Sequence, residues 1–218
     1  MNLWQYAAQL ALAAVVGVVA AVALQERIEA GVIRLLGRKS GRAGDIKGFW
    51  FSVFWYRGID GAVHPVMNIL RIRRIGKKVV LTTEVGPGAY RASGSIALGQ
   101  FVTCTWHNQA GANQYNGSCQ WVLAPEGISL AGVWIGWNKD RHVSAGPWVL
   151  AKVGGGYDRS SLPGLFAELN YACSTPQHER LSSGAADVFD AVLRSTRHHA
   201  TTHRDADWAE ALGSLGDV

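Results

Sequence analysis

Short runs in the middle of the chain alternate between apolar and polar residues, with almost no stretch of helical period. They are rich in Val, Ile, Thr, Trp, Phe and Tyr, and Gly, Pro, Asn or Asp residues bound them. This pattern is typical of β-strands. The sequence predicts eight of them, at Gly48–Arg57, Val66–Arg74, Lys77–Glu84, Ala89–Leu98, Gln100–His107, Gly117–Ala124, Ile128–Asn138 and His142–Lys152.

The connections between the predicted strands are short, as at Ile75-Gly76 and Gly86-Pro87-Gly88. Short connections join antiparallel neighbours, whereas parallel strands need a crossover of a dozen or more residues. Eight strands in sequential order can close on themselves, which leaves no free edge. The predicted fold class is therefore all-β, an eight-stranded antiparallel meander barrel over residues 46–153. Such a barrel is just wide enough to be filled by side chains or to hold one small ligand.

Glycine and tryptophan recur two residues apart, at Gly48–Trp50, Gly132–Trp134 and Gly146–Trp148. Residues at this spacing point to the same face of a strand. We expect the glycines, with Gly94 and Gly136, to allow bends or close backbone approach in a tightly curved sheet. The tryptophans are expected to pack the core. The alternative is a stacking surface for a flat ligand.

The N-terminal region predicts a membrane anchor. Trp4–Leu24 contains no charged residue, and about 20 apolar residues cross a bilayer as a helix. A cleaved signal peptide is the alternative, because Ala21-Val22-Ala23 resembles a cleavage site. Lys and Arg residues follow the apolar stretch and none precedes it, which favours an uncleaved span with the barrel in the cytoplasm. We therefore predict a single-pass inner-membrane protein, with an anchor and interfacial helix at residues 1–36 and a basic linker at 37–45.

Residues 154–218 are predicted to form a tail with two short helices, Leu165–Tyr171 and Ala185–Arg194, which must dock or fray because neither is long enough to stand alone. The histidines there, among Arg, Thr and Asp, are expected to be solvated rather than to bind a metal. The three cysteines have no C-x-x-C spacing, so free thiols are expected. The histidines concerned are His178, His198, His199 and His203.

The sequence contains no recognisable catalytic motif. It lacks a nucleophile elbow, a Gly-rich phosphate loop ending in Lys-Ser or Lys-Thr, and an H-E-x-x-H pair. We therefore predict a binding or sensing protein without enzymatic activity, resident cofactor or metal. Net charge is +5, with an isoelectric point near 9.3. Anionic lipid head groups explain this charge without a nucleic-acid polymer as partner.

Candidate ligand-binding residues come from alternation and chemistry. On the second predicted strand, Arg71 and Arg73 alternate with apolar residues, so one face carries charge and the other the core. Arginine binds phosphate through bidentate hydrogen bonds, and aromatic rings stack on bases. A solvated outer face is the alternative for each arginine. The candidate site residues are Arg71, Arg73, Arg74, Arg91, Trp106 and Trp134.

With the apolar stretch Trp4–Leu24, the barrel from Gly48 to Lys152, and the motifs at Gly132–Trp137 and Gly146–Trp148, the chain resembles the membrane-anchored β-barrel effectors of bacterial anti-phage cyclic-oligonucleotide signalling. The resemblance implies a barrel that senses a cyclic nucleotide second messenger and membrane segments that assemble as a homo-oligomer to disrupt the inner membrane. Better-known members carry two spans before the barrel, whereas this chain has one.

A lipocalin-like barrel that carries an apolar ligand, or serves as a scaffold, is the alternative. The barrel interior separates the two hypotheses. An interior containing arginine, Asn68, Thr103, Thr105 or Gln120 favours an anionic ligand, whereas an interior of Leu, Ile and Trp favours an apolar one. Alternation does not settle which face points inward on strands such as Gly48–Arg57, where both faces are aromatic.

Overall fold

Pairing of the first and last strands closes the barrel. The structure, a computed structural model, describes residues 45–58, 61–109, 115–137, 142–174 and 181–202, with side chains described as far as residue 196. The predicted span at Trp4–Leu24 lies outside these residues. Within them, neither helix has the length and apolar character that crossing a bilayer requires.

Every strand pairs with its sequence neighbour in antiparallel fashion, and β1 also pairs with β8, with Trp50 opposite Lys152 and Phe54 opposite Trp148. The predicted eight-stranded antiparallel barrel is therefore confirmed. The strands are β1 (Gly48–Arg57), β2 (Val63–Ile75), β3 (Lys78–Val85), β4 (Tyr90–Ala97), β5 (Phe101–Asn108), β6 (Asn116–Leu123), β7 (Ser129–Trp137) and β8 (Val143–Lys152).

Alternate residues of each strand form an apolar interior, as the pleat of a β-strand requires. On β4 and β5, for example, Ala92 and Trp106 lie opposite each other and point inward, while the next pair along the two strands, Arg91 and His107, faces outward. The buried side chains of this interior are mainly Trp, Leu, Ile, Val and Cys. The polar residues Thr103, Thr105 and Gln120 lie on the exposed outer face. The interior thus resembles that expected for an apolar ligand.

Large and small residues alternate across neighbouring strands inside the barrel. Trp121 and Trp148 both lie opposite Gly132, which β7 places between them. In the same way, Trp106 lies opposite Gly117 and Trp134 opposite Gly146. An interior of eight strands has little room, so a bulky indole needs a neighbour without a side chain. These four indoles therefore fit because glycines stand beside them.

Two helices cover the outer face of β8, β1 and β2. These are α1 (Leu162–Ser174) and α2 (Ser183–Thr202), and both extend beyond the predicted helices. Buried residues of both helices form a second core with Phe51, Val53 and Trp55 of β1. Strand β1 is therefore buried on both faces, with Trp50 and Phe54 on the inner side. This is why its sequence shows no apolar and polar alternation.

The close approach of neighbouring backbones at Gly132 provides a stability test. A Cβ at this position would overlap the backbone carbonyl oxygen of Gln120, which cannot move without breaking the sheet. We expect Gly132→Ala to lower the free energy of unfolding by about 1–3 kcal/mol, measured by urea denaturation. Gly155→Ala is the control, because a Cβ there meets nothing within 4 Å. Equal stabilities of the two variants would contradict the packing described above.

Candidate functional site

A cavity of about 520 Å³ lies at one end of the barrel. In a meander the odd strands end, and the even strands begin, at the same end, and the cavity lies where they meet. At the opposite end Ile46 and Trp50 are fully buried, and the indole N–H of Trp50 donates to the carbonyl of Ile46 at 2.8 Å. The cavity is lined by Phe54, Tyr56, Arg57, Gly58, Val66, Pro87, Gly88, Tyr90, Trp106, Tyr115, Trp134, Gly136, Trp137, Ser144 and Trp148.

Aromatic rings in mutual contact form the walls. Phe54 lies among three of them, with centroid distances of 5.8 Å to Tyr90, 6.1 Å to Trp134 and 5.5 Å to Trp148. Trp106 contacts Tyr90 at 6.1 Å and Trp134 at 6.0 Å, both edge to face. Edge-to-face contacts between rings are favourable and directional. The rings therefore hold one another in place around the cavity.

Hydrogen bonds to the sheet fix the orientation of two of these indoles. The N–H of Trp134 donates to the backbone carbonyl of Trp55 at 3.0 Å, on β1, which is separated from its own strand by β8. The N–H of Trp106 donates to the carbonyl of Ser118 at 3.3 Å. The ring of Trp106 also lies over Gly136, where any Cβ would overlap it. Both indoles thus use their only donor within the protein and present apolar surface to the cavity.

Trp148 lies deeper and forms the floor. Its N–H donates to the hydroxyl of Ser52 at 2.7 Å, and both residues are buried. Trp121 packs edge to face against Trp148 with a centroid distance of 4.7 Å. Below this pair the interior is filled by apolar side chains. The cavity is therefore confined to the end of the barrel.

Polar groups are concentrated at the rim. Three tyrosines line the cavity with Arg57, whose guanidinium donates to the carbonyl of Gly61 at 3.0 Å. Burial raises the pKa of the Tyr90 hydroxyl above its ordinary value, and the nearby Tyr115 and Tyr56 raise it further. The phenol of Tyr90 therefore stays protonated, as a hydrogen-bond donor, through the neutral range.

The structure separates the six predicted site residues. Trp106 and Trp134 line the cavity together, whereas none of the four arginines does. Arg71, Arg73 and Arg91 lie on the outer face, because Ile72, between the first two, and Ala92, next to the third, point into the interior. Arg74 is at the far end of β2, where its Nε donates to the carbonyl of Gly76 at 2.8 Å.

Sequence reasoning missed several residues that line the cavity. Phe54, Tyr90 and Trp148 form its walls and floor, and Arg57 and Trp137 lie at its rim. The predicted strand order could have located these residues. In an antiparallel meander the odd strands end at the same end of the barrel at which the even strands begin. Aromatic residues at those positions share one end of the barrel. Strand order, rather than residue chemistry, would have located the site.

Four polar residues, Asn68, Thr103, Thr105 and Gln120, would favour an anionic ligand if they lay in the interior, and of these Asn68 is buried. Its amide, oriented to suit its surroundings, donates to the carbonyl of Pro87 at 2.9 Å and to that of Met67 at 3.2 Å. These contacts hold the turn between β3 and β4 against β2. The side chain is therefore engaged by the protein and does not line the cavity.

Two of the three thiols, those of Cys119 and Cys173, are held in the protonated form by burial. Cys104 and Cys119 are buried neighbours on β5 and β6, and the Cys119 thiol donates to the carbonyl of Cys104 at 3.6 Å. Burial strongly raises the pKa of Cys119, and it raises the pKa of Cys173 to about 12. Thiols are nucleophiles and metal ligands only as thiolates. In the described part of the chain, no three His, Cys, Asp or Glu residues are grouped to hold a metal.

No protein-family model matches the chain, and no curated protein matches it. Among solved structures, EF1p2_mFAP2b bound to DFHBI is similar with a TM-score of 0.40 and 11% identity, over 51% of this chain and 97% of that one. A redesigned β-barrel, mFAP1, also bound to DFHBI, has a TM-score of 0.38 and 12% identity, over 51% of this chain and 100% of that one. Likenesses of this size carry no conclusion about function.

The raised pKa of Tyr90 gives a pH test. The phenol of Tyr90 has a pKa near 10.0 in the unfolded chain and a higher pKa in the folded protein. Its contribution to stability is therefore complete below pH 10 and is lost as the pH rises through the pKa of the folded state. An ultraviolet titration of the parent minus that of Tyr90→Phe should show a phenol ionising above pH 10. Tyr171→Phe, on the exposed face of α1, controls for loss of a phenol outside the cavity. A difference curve centred at or below pH 10 would contradict the burial of Tyr90.

Proposed function

We propose that the barrel is a binding module that takes a flat, mostly apolar small molecule into the cavity at its end. The observation that carries this proposal is an open volume of about 520 Å³ between aromatic rings that the protein itself holds in place. Small-molecule sites are typically preformed clefts of about 300–1,000 Å³ with apolar walls and a few polar groups. Here the body of the ligand contacts Phe54, Trp106 and Trp134, and its polar edge faces Tyr90 and Arg57.

The expected affinity is moderate. Burial of about 200 Å² of aromatic surface contributes about 5 kcal/mol. Loss of translational and rotational freedom opposes this contribution. Stacking against the cavity rings and hydrogen bonds at the rim must supply the remainder of the roughly 8 kcal/mol that micromolar binding requires. A ligand with a hydrogen-bond acceptor at one edge is therefore favoured over a pure hydrocarbon.

A cyclic nucleotide is the second candidate. Arg57 and three tyrosine hydroxyls at the rim suit a phosphate, while the rings below suit a base. Two considerations rank it lower. A cyclic oligonucleotide carries at least two phosphates, and Arg57 is the one cationic side chain among the described residues that line the cavity. Moreover, a buried phosphate without a partner would cost several kcal/mol.

The role in anti-phage defence depends on residues beyond the barrel. Tethering to the inner membrane by Trp4–Leu24, self-association of that span and disruption of the membrane are parts of this second candidate and stay predictions. Ligand binding can drive such association only by favouring the associated state. The barrel therefore has to be tested first for what it binds.

Substitution at the rim tests the proposed site without disturbing the core. Trp137 lines the cavity, yet 52% of its surface is exposed. Because each stacked ring contributes about 1–3 kcal/mol, we expect Trp137→Ala to weaken binding of N-phenyl-1-naphthylamine by roughly 5- to 150-fold, measured by fluorescence titration. Tyr171→Ala is the matched control, with 53% exposure on α1, and should change the affinity less than twofold. Equal effects of the two substitutions, or no binding to the parent protein, would refute the cavity as the site.

Calorimetric titration with a panel of cyclic di- and trinucleotides separates the two candidates. If the ligand is neutral and aromatic, these nucleotides should bind at least tenfold more weakly than heteroaromatic compounds. If a cyclic nucleotide is the ligand, Arg57→Gln should weaken its binding by about 10- to 150-fold, through loss of a charge-assisted hydrogen bond, and leave neutral ligands unaffected. A nucleotide that binds more tightly than every neutral compound and depends on Arg57 would replace the first candidate by the second.

A further inference from the structure

The outer wall formed by β2, β3, β4 and β5 carries a row of basic side chains. Arg71 lies opposite Thr82, Thr82 opposite Arg91, and Arg91 opposite His107 on successive strands. The inner neighbours of these residues belong to the barrel interior, so all four side chains point outward. Two arginines therefore flank one threonine hydroxyl on the surface opposite to the lumen.

The register brings the flanking side chains close to the hydroxyl. The N–H of Ile96 donates to the carbonyl of Lys77, so these two residues form a hydrogen-bonded pair. Hydrogen-bonded and non-hydrogen-bonded pairs alternate along an antiparallel ladder, and this alternation makes Thr82 and Arg91 a non-hydrogen-bonded pair. In such pairs the Cα atoms are about 4.5 Å apart and the side chains are closest. Two strand spacings place Arg71 about 10 Å from Arg91, within reach of a shared ion.

Neither arginine forms an ion pair with the described part of the chain. Arg71 lies over the ring of Phe49, with 5.6 Å from its guanidinium carbon to the ring centroid. The nearest acidic residue along β3 is Glu84, and its carboxylate is 2.8 Å from the guanidinium of Arg159. That contact is an ion pair without the alignment of a hydrogen bond. The two positive charges of the row therefore face each other without a carboxylate between them.

The hydroxyl between the arginines also lacks a partner. The Oγ1 atom of Thr82 is buried, and no described residue makes a hydrogen bond to it. An unpaired buried hydroxyl destabilises the folded state, since in water it would be fully hydrogen-bonded. Arg71 and Arg91, by contrast, are partly exposed, so an ion from solvent can reach them. One oxyanion between the two guanidinium groups would satisfy all three residues.

We propose that Arg71, Thr82 and Arg91 form a phosphate site on the outer wall of the barrel. The oxygens of a phosphate are arranged tetrahedrally, so they can accept from two guanidinium groups and a hydroxyl that approach from different directions, whereas the two oxygens of a carboxylate lie in one plane. The site is separate from the cavity and does not depend on the ligand proposed there. The phosphate belongs either to a phospholipid head group, with this wall of the barrel turned towards a membrane surface, or to a free phosphate compound.

Binding of inorganic phosphate to the purified full chain tests the site by calorimetry. We expect Arg71→Gln and Arg91→Gln each to weaken binding roughly tenfold or more, and Thr82→Val by about 2- to 10-fold. Arg73→Gln is the matched control, because Arg73 lies on the same strand and face but opposite Val80. It should change the affinity less than twofold. An equal loss in Arg73→Gln would show a diffuse electrostatic effect and overturn the site.

The temperature of thermal unfolding distinguishes a phosphate-binding role of Thr82 from a purely structural one. If Thr82 only stabilised the fold, Thr82→Val would lower the unfolding temperature even without phosphate. In chloride buffer without phosphate, Thr82→Val should unfold at the same temperature as the parent or higher, because it removes an unpaired buried hydroxyl. On addition of phosphate the parent should gain more stability than the variant. A lower unfolding temperature of Thr82→Val without phosphate would overturn the proposal, since the hydroxyl would then have a partner within the protein.

The source of the phosphate is decided by comparing inorganic phosphate with glycerophosphoglycerol, a phospholipid head group without acyl chains. Tighter binding of the head group, lost in Arg91→Gln, identifies a lipid. Tighter binding of inorganic phosphate, lost in the same variant, identifies a free phosphate compound. Binding of neither probe, or binding that formate matches at equal ionic strength, would overturn the phosphate site.

Discussion

An eight-stranded barrel has room for only a few large side chains, and this limit determines how its interior is packed. Indoles fill the interior only because glycines stand opposite them, as Gly132 does for Trp121 and Trp148. Below the floor the interior is packed with buried apolar side chains. Towards one end the rings of Trp106 and Trp134 lean against each other and against Phe54, and the space between them stays open. The cavity therefore lies at the end of the barrel where the packing of large against small residues leaves the lumen open.

The outer surface of the barrel divides into sectors of different chemistry. The two helices cover β8, β1 and β2 with a second apolar core. Further round, the wall from β2 to β5 is basic and rich in hydroxyl groups. On β7 the outward side chains of Val133 and Ile135 are exposed. Only the first sector is buried by described residues, so the contacts that the barrel makes with other molecules depend on the other two sectors and on the mouth of the cavity.

Two ligand chemistries are kept apart by the alternation of the strands. Alternate residues of the same strands form the apolar interior and the basic outer wall. Arg91 and Ala92, for example, are neighbours on β4 and point in opposite directions. A flat apolar molecule is suited to the lumen, where water is excluded, while a phosphate is suited to the wall, where its charge stays near solvent. The barrel separates the two within the thickness of a single sheet.

Local sequence patterns predict the strands, their order and the closure of the barrel, and the structure confirms all three. Short connections and two-residue alternation are local properties, and an antiparallel meander follows from them. The sequence also determined that Arg71 and Leu70 lie on opposite faces. It correctly placed helices near Leu165–Tyr171 and Ala185–Arg194, although both are longer in the structure.

Which face of a strand points into the barrel depends on tertiary contacts that local patterns do not report. On β1 both faces are apolar, because helices that follow the barrel in sequence bury the outer one, and no pattern within β1 reports a partner more than 100 residues away. Residue chemistry without the assignment of faces predicted one ligand site from four arginines and two tryptophans. In the structure only the tryptophans line the cavity. Inward and outward positions differ by one residue along a strand, so the assignment of face, which depends on long-range packing, decides which side chains meet a ligand.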